Sequence, residues 1–162
     1  MNFVVYIKVA PYLRQWFLHR YGGKEDRPIV FPRKSPLQKL LHTLIEPRPA
    51  SWKPDKPVED GIPIMLPSME SKDPKRWCFI KEKHRRVLAR MMKLCFEVDC
   101  YSYLKKMHGL GRIPMLKDAI YGYMEMNGID VVYYDTICKW YQRAREEDET
   151  ISEEARIRYR KR

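Results

Sequence analysis

A row of positively charged side chains between residues 83 and 93 has the spacing needed to hold phosphates. The row consists of Lys83, Arg86, Arg90 and Lys93. Intervals of three, four and three residues place such side chains along one face of a helix. Rows of this kind neutralise phosphates and release counterions, which gives an affinity that falls with salt. The row belongs to a wider basic cluster that surrounds Trp77 and also contains Lys72, Lys75, Arg76, Lys81 and Arg85. The other interpretation is a solvated cationic face.

A second group of residues could contact bases. Residues 115–145 have the pattern of two helices joined by a turn at Gly128, the outline of a helix-turn-helix. The exposed face of the second helix would carry donors, acceptors and apolar surface suited to base edges. These residues are Tyr133, Thr136, Lys139, Trp140, Gln142 and Arg143.

Several residues of this unit depart from the motif. Met124 stands where a small residue is usual, Asn127 where an apolar one is usual, and Asp130 and Asp135 where phosphates would lie. These departures favour an ordinary helical hairpin that completes the core, and both interpretations stay open.

Catalytic and metal-binding patterns are weak in this sequence. It has no HExxH, GxSxG or GxxxxGK motif. His84 falls on an apolar helix face, where a hydrogen-bonded core histidine is the better interpretation. Cys95 with Asp99, or with His84, matches no common metal-ligand spacing. We therefore predict a protein without enzymatic activity, metal or cofactor.

The charge of the chain favours an anionic partner. Its 162 residues carry a formal net charge of +11 at pH 7, and the pI is about 9.5. The excess of positive charge lies in residues 1–50 and 72–112.

No apolar stretch is long enough to span a bilayer, and Lys8 interrupts the apolar N-terminus, so we expect neither a membrane partner nor a signal peptide. The four cysteines, Cys78, Cys95, Cys100 and Cys138, lack CxxC spacing, which indicates reduced thiols and a cytoplasmic protein.

A long helix over residues 73–108 must position the cationic row. Asp73 and Pro74 are a typical cap and first residue, and Gly109 and Gly111 mark the end. A break near residues 99–100 is expected, since helices average about 11–12 residues. A heptad-like seam predicts the buried face, with Leu88, Met92 and Cys95 widening it. The seam consists of Trp77, Ile80, His84, Val87, Met91, Leu94, Val98 and Tyr101.

The whole pattern predicts an α+β fold that is mostly α-helical. Residues 1–70 form a small N-terminal αβ part, with a proline-rich linker at 47–57. Its three short strands (3–9, 27–32 and 62–66) and two helices suggest a parallel strand pair. Val5 and Ile7 share one face of the first strand, and Ser35 and Pro36 are a typical cap and first residue for the second helix. Residues 71–145 form the helical part, which ends in the hairpin at 115–145. Residues 146–162 form a charged tail that either continues the last helix or hangs free.

These features together predict a non-enzymatic, cytoplasmic nucleic-acid-binding protein with a regulatory or accessory role, and DNA is favoured over RNA. In composition the chain is similar to small, basic, helical accessory proteins of phages and conjugative elements. That resemblance includes no diagnostic motif and assigns no residue. The alternative is a protein-interaction module without nucleic acid, in which the seam between residues 77 and 101 pairs with a partner helix or forms a homodimer.

Overall fold

The computed structural model of the protein describes residues 3–22 and 27–160. Its fold is α+β and mostly helical, as predicted. The strands are β1 (Val4–Lys8) and β2 (Gly61–Met65), and the helices are α1 (Pro11–Arg20), α2 (Pro36–Leu44), α3 (Glu82–Met107), α4 (Leu116–Met126) and α5 (Tyr134–Arg160). The chain divides into two compact units, unit 1 (residues 1–99) and unit 2 (residues 100–162), and the boundary falls inside α3.

The sheet of unit 1 has fewer paired strands than the sequence suggests. β1 pairs antiparallel with β2, with Tyr6 opposite Pro63. The predicted strand at 27–32 contributes a single parallel bridge between Ile29 and Ile64. Pro28 and Pro32 lack N–H donors, so this segment cannot extend the ladder. The predicted parallel pairing is therefore limited to this one bridge between the second and third strand segments, while the paired strands β1 and β2 run antiparallel.

The outer edge of β1 is closed by an ion pair. The Tyr6 N–H donates to Asp55 Oδ2 at 3.1 Å, and Arg85 Nη1 donates to the Tyr6 carbonyl at 3.3 Å. Arg85 also forms a two-bond ion pair with the Asp55 carboxylate, including an Nη2–Oδ1 bond of 2.9 Å. Edge strands expose unpaired backbone groups, and here side chains from the proline-rich segment and from α3 satisfy those of Tyr6.

The start of α3 differs from the sequence prediction. The Asp73 carboxylate accepts from the Lys75 N–H at 3.0 Å, but it caps only a short turn. The chain then extends, and Phe79 pairs with Glu46 through a backbone bond of 2.8 Å. This pairing competes with helix formation, so α3 begins at Glu82. The expected break at residues 99–100 is absent, because α3 is continuous to Met107.

The buried face of α3 in unit 1 is the predicted flank with Leu88 and Met92, not the seam itself. Leu88, Met92 and Phe96 are at most 1% exposed, whereas the seam residues Val87, Leu94 and Val98 are 36%, 49% and 58% exposed. The Phe96 ring lies 5.4 Å from Tyr12 and 5.7 Å from Trp16, both on α1. The aromatic face of α1 therefore selects the neighbouring apolar row of α3. Trp77 and Ile80 precede the helix altogether.

Helix α2 is an element that local sequence signals place correctly. The Ser35 side chain accepts from the Gln38 N–H at 3.2 Å, and Pro36 is the first helical residue. A hydroxyl cap followed by proline suits a helix start, because the capped N–H and the missing N–H would otherwise lack partners. Leu37, Leu41 and Leu44 bury its inner face.

Unit 2 consists of the end of α3 with α4 and α5. Gly128 has φ +66°, a left-handed conformation that ends α4 and suits glycine. Asp130 Oδ1 then accepts from the Val132 N–H at 3.0 Å and caps a 3-10 turn, Val131–Tyr133, before α5. The tail continues α5 as far as Arg160, and the last two residues of the predicted tail, Lys161 and Arg162, lie outside the described residues.

Candidate nucleic-acid interface

The four cations of the predicted row are all exposed on α3 in unit 1. We call this set the basic row: Lys83, Arg86, Arg90 and Lys93. From the first to the last residue it extends over about 15 Å at 1.5 Å per residue. The sequence spacing therefore predicted a surface feature correctly, because the spacing that defines one helix face is a local property of the helix.

Two members of the basic row have carboxylate neighbours on the same helix. Arg86 Nε lies 3.4 Å from Glu82 Oε1, and Lys93 Nζ lies 3.6 Å from Glu97 Oε1. Exposed pairs four residues apart contribute only about 0.3–0.5 kcal/mol, so an incoming phosphate can replace the carboxylate. Lys83 and Arg90 have no carboxylate partner within residues 3–22 and 27–160. These two are the cations most available to an external anion.

Other members of the basic cluster have structural partners. Lys81 Nζ lies 2.7 Å from Glu46 Oε1, and this hydrogen bond lowers the pKa of the Glu46 carboxyl. Arg85 is occupied by Asp55 and by the edge of β1. Lys72 Nζ lies 3.8 Å above the Trp77 ring, a cation–π contact. The cluster is thus not one uniform cationic surface.

The fold brings one further arginine close to the cluster. The Arg48 N–H donates to the Arg76 carbonyl at 2.8 Å, in line with the pairing of Glu46 and Phe79. The Arg48 guanidinium lies 5.2 Å from the centre of the Trp52 ring and remains exposed. Sequence reasoning missed Arg48, since the contact joins residues 28 positions apart across the proline-rich segment. No local periodicity marks such a pairing.

The second predicted group lies on α5 in unit 2. Thr136, Lys139 and Arg143 are exposed at spacings of three and four residues, so they form one stripe. We call these three residues the α5 stripe. Tyr133 precedes α5, in the 3-10 turn, and is half-buried. Asp135 and Glu146 are exposed on the same helix, so the region has mixed charge.

The connection between α4 and α5 is longer than that of a standard helix-turn-helix. Seven residues separate Met126 from Tyr134, including the 3-10 turn, whereas about three to four are usual. The Tyr121 and Tyr134 rings stack at 4.6 Å across this connection. The pairing of α4 with α5 is a helical hairpin with an elaborated turn.

The histidine on α3 has a structural environment. His84 Nδ1 lies 3.2 Å from the Leu44 carbonyl oxygen and 3.9 Å from Glu46 Oε1.

No group of three His, Cys, Asp or Glu side chains within the described part of the chain could share a metal ion. The four cysteines are free. None of the helices described is both long and apolar enough to cross a membrane.

Comparison with known proteins adds no functional information. No family model, no curated protein and no solved structure matches this chain. The chemistry of the two surfaces is therefore the basis for inferring a function.

Proposed function

We propose that this chain is a non-enzymatic, cytoplasmic nucleic-acid-binding protein, with DNA preferred over RNA, that acts as a regulatory or accessory factor. The observation that carries the proposal is the basic row, four exposed cations on one face of α3, two of them without a carboxylate partner among the described residues. Unit 1 as a whole has 20 Lys and Arg against 11 Asp and Glu, which favours approach of a polyanion.

The two surfaces have different roles in this proposal. The basic row contacts phosphates and supplies affinity that does not depend on sequence. The α5 stripe supplies contacts to base edges, since arginine and lysine recognise guanine and threonine can bond to several bases. Unit 2 has 12 Lys and Arg against 10 Asp and Glu, so it would contribute little to non-specific affinity.

The salt dependence of DNA binding tests the role of the basic row. Binding of a fluorescent 20-base-pair duplex is measured by anisotropy between about 50 and 200 mM NaCl for the wild type and for Lys83→Gln/Arg90→Gln. Each phosphate contact contributes about 0.9 to the slope of log affinity against log salt. Loss of two contacts should reduce the slope by about 1.8.

A matched variant distinguishes the effect of the basic row from the effect of the overall charge. Lys39→Gln/Lys106→Gln removes the same two charges from exposed side chains on α2 and near the end of α3. This control should keep the wild-type slope. Equal slopes for both double variants, or an absence of duplex binding at low salt, would refute the proposal. A duplex RNA of equal length tests the preference for DNA.

A second candidate function is that of a protein-interaction module without nucleic acid. The observation that favours it is the exposure of Val87, Leu94 and Val98, which leaves part of the predicted seam uncovered within unit 1. Apolar side chains in a continuous stripe on a helix are typical of helix pairing. A wild-type protein that self-associates but does not bind duplexes at any salt concentration would favour this candidate.

A further inference from the structure

Helix α3 has an exposed apolar stripe beside the basic row. We call it the outer stripe, and it consists of Val87, Met91, Leu94 and Val98. Met91 is half-buried and the other three are exposed. The spacings of four, three and four residues are those of alternating d and a positions in a coiled coil. The stripe therefore has the pattern of a helix seam that unit 1 leaves uncovered.

The two borders of the outer stripe differ in chemistry. In heptad terms, Met91 and Val98 occupy a positions, and Val87 and Leu94 occupy d positions. The g positions that flank one side are Arg90, which is exposed, and Glu97, which is half-buried and lies 3.6 Å from Lys93 Nζ. On the other side, one e position is occupied by Leu88, which is fully buried within unit 1. One border can form ion pairs across a helix interface, while the other is covered by the protein's own core.

We infer that the outer stripe pairs with the same stripe of a second copy of this chain, in antiparallel orientation. In an antiparallel pair, the a positions of one helix face the d positions of the other. Met91 then packs on Leu94 of the second copy, and Val98 packs on Val87 of the second copy. Four apolar layers follow, and two-fold symmetry makes the interface self-complementary.

The charges at the border support this orientation. An antiparallel pair places g positions opposite g positions, so Arg90 faces Glu97 of the second copy, and the reverse pair forms by symmetry. Arg90 has no carboxylate partner within the described residues. A parallel pair would instead place g positions opposite e positions, and Arg90 would then meet the border that holds buried Leu88. Only the antiparallel arrangement gives Arg90 a carboxylate.

This pairing would also join two basic rows. Because g positions face each other, Lys83 and Arg90 of both copies lie on the same side of the helix pair, with Arg86 and Lys93 next to them. The dimer would bring eight cations to one face in place of four, with the two Arg90 side chains among them paired to Glu97 of the opposite copy. The pairing itself does not depend on nucleic acid, so it goes beyond the proposed function and can be tested without it.

Charge reversal on the full-length protein tests the inference. The outer stripe extends over about 17 Å of helix, so a weak dimer is expected, and sedimentation equilibrium between about 1 and 200 µM suits it. Arg90→Glu and Glu97→Arg should each weaken the dimer by about tenfold or more, since each creates two like-charge contacts. The double variant Arg90→Glu/Glu97→Arg should restore the wild-type association.

Two controls make the outcome decisive. Lys39→Glu makes the same change in net charge as Arg90→Glu at an exposed site on α2, and it should leave the dimer intact. Circular dichroism melts verify that every variant folds. A monomeric wild type throughout the concentration range, or a dimer that neither single reversal weakens, would overturn the inference. Duplex binding by the wild type is measured separately, and a monomer can still bind DNA through its own basic row, so failure of the pairing and failure of the proposed function are distinguishable.

Discussion

Arg85 has the surroundings of a phosphate-binding residue in the sequence, yet the structure gives it another role. It contacts Asp55, the Tyr6 carbonyl and the Ile80 carbonyl, the last through a bond of 2.9 Å. Its side chain and that of Asp55 are 20% and 18% exposed. The pair connects the proline-rich segment, β1 and α3, so its contribution is to stability within unit 1.

We expect Arg85→Gln to lower the free energy of unfolding by about 3 kcal/mol, because removal of one partner leaves the Asp55 carboxylate and the Tyr6 carbonyl poorly satisfied. Urea denaturation followed by circular dichroism measures the change. Arg86→Gln is the control, since its ion pair with Glu82 is exposed and should contribute less than about 1 kcal/mol. Equal effects of the two substitutions would contradict the structural role of Arg85.

Tyr101 gives unit 2 a sensitivity to alkaline pH. Burial raises the pKa of Tyr101 to about 12, and its hydrogen bond of 2.8 Å to Asp148 Oδ2 acts in the same direction. A pKa that is higher in the folded state than in the unfolded state favours folding while the ring is neutral. This contribution is complete below pH 10 and is lost as the pH rises from 10 to about 12.

The same Asp148 carboxylate accepts from Lys105 Nζ at 2.8 Å, and this bond raises the pKa of Lys105. Its contribution is likewise lost at alkaline pH. We therefore expect the melting temperature to fall steeply between pH 10 and 12, and Tyr101→Phe to make the fall shallower. Tyr159→Phe, at a side chain that is 80% exposed, is the control and should leave the curve unchanged. Identical curves for the wild type and Tyr101→Phe would exclude this role.

At the scale of elements, α5 has two parts with different support. Its first half contains the buried residues Ile137 and Tyr141, whereas residues 150–160 are all exposed. Helices obtain most of their stability from packing of an apolar face. Residues 150–160 are therefore held mainly by their own backbone bonds and by local bonds such as that from Thr150 Oγ1 to the Glu146 carbonyl at 2.9 Å.

Amide hydrogen exchange should show this difference. We expect peptides covering residues 150–160 to exchange much faster than peptides covering 134–145, because local opening costs less free energy where no core contact is lost. Mass spectrometry of the labelled protein measures both in one experiment, so the N-terminal half of the helix serves as the internal reference. Uniform protection along α5 would indicate that a partner or a second copy covers its distal half.

At the scale of the whole molecule, affinity and sequence preference should be separable. Selection from random duplexes should enrich a motif with the wild type, and Arg143→Ala should relax that motif at one position, at a cost of about 1–3 kcal/mol for the preferred site. Lys83→Gln should weaken all duplexes about equally. If Arg143→Ala leaves the motif intact, α5 does not contact bases and serves only as part of the hairpin.

The sequence by itself determined the features that depend on neighbouring residues. The cap at Ser35, the turn at Gly128, the alternation of Val5 and Ile7 in β1 and the basic row follow from local geometry. Backbone periodicity, capping bonds and proline restrictions act over a few positions, which is why these features could be predicted without knowledge of the fold.

Only the tertiary structure decided which residues are buried, which are paired and which remain available. α3 carries two apolar rows side by side. The row with Phe96 is buried because the rings of Tyr12 and Trp16 on α1 pack against it. Likewise the ion pair with Asp55 makes Arg85 unavailable to an external anion. The pairing of residues 46–48 with 76–79 places Arg48 beside the basic cluster. The hydrophobic effect is not directional, so it does not by itself favour one apolar face of a helix over another. The choice between two similar helix faces therefore depends on contacts between residues distant in sequence.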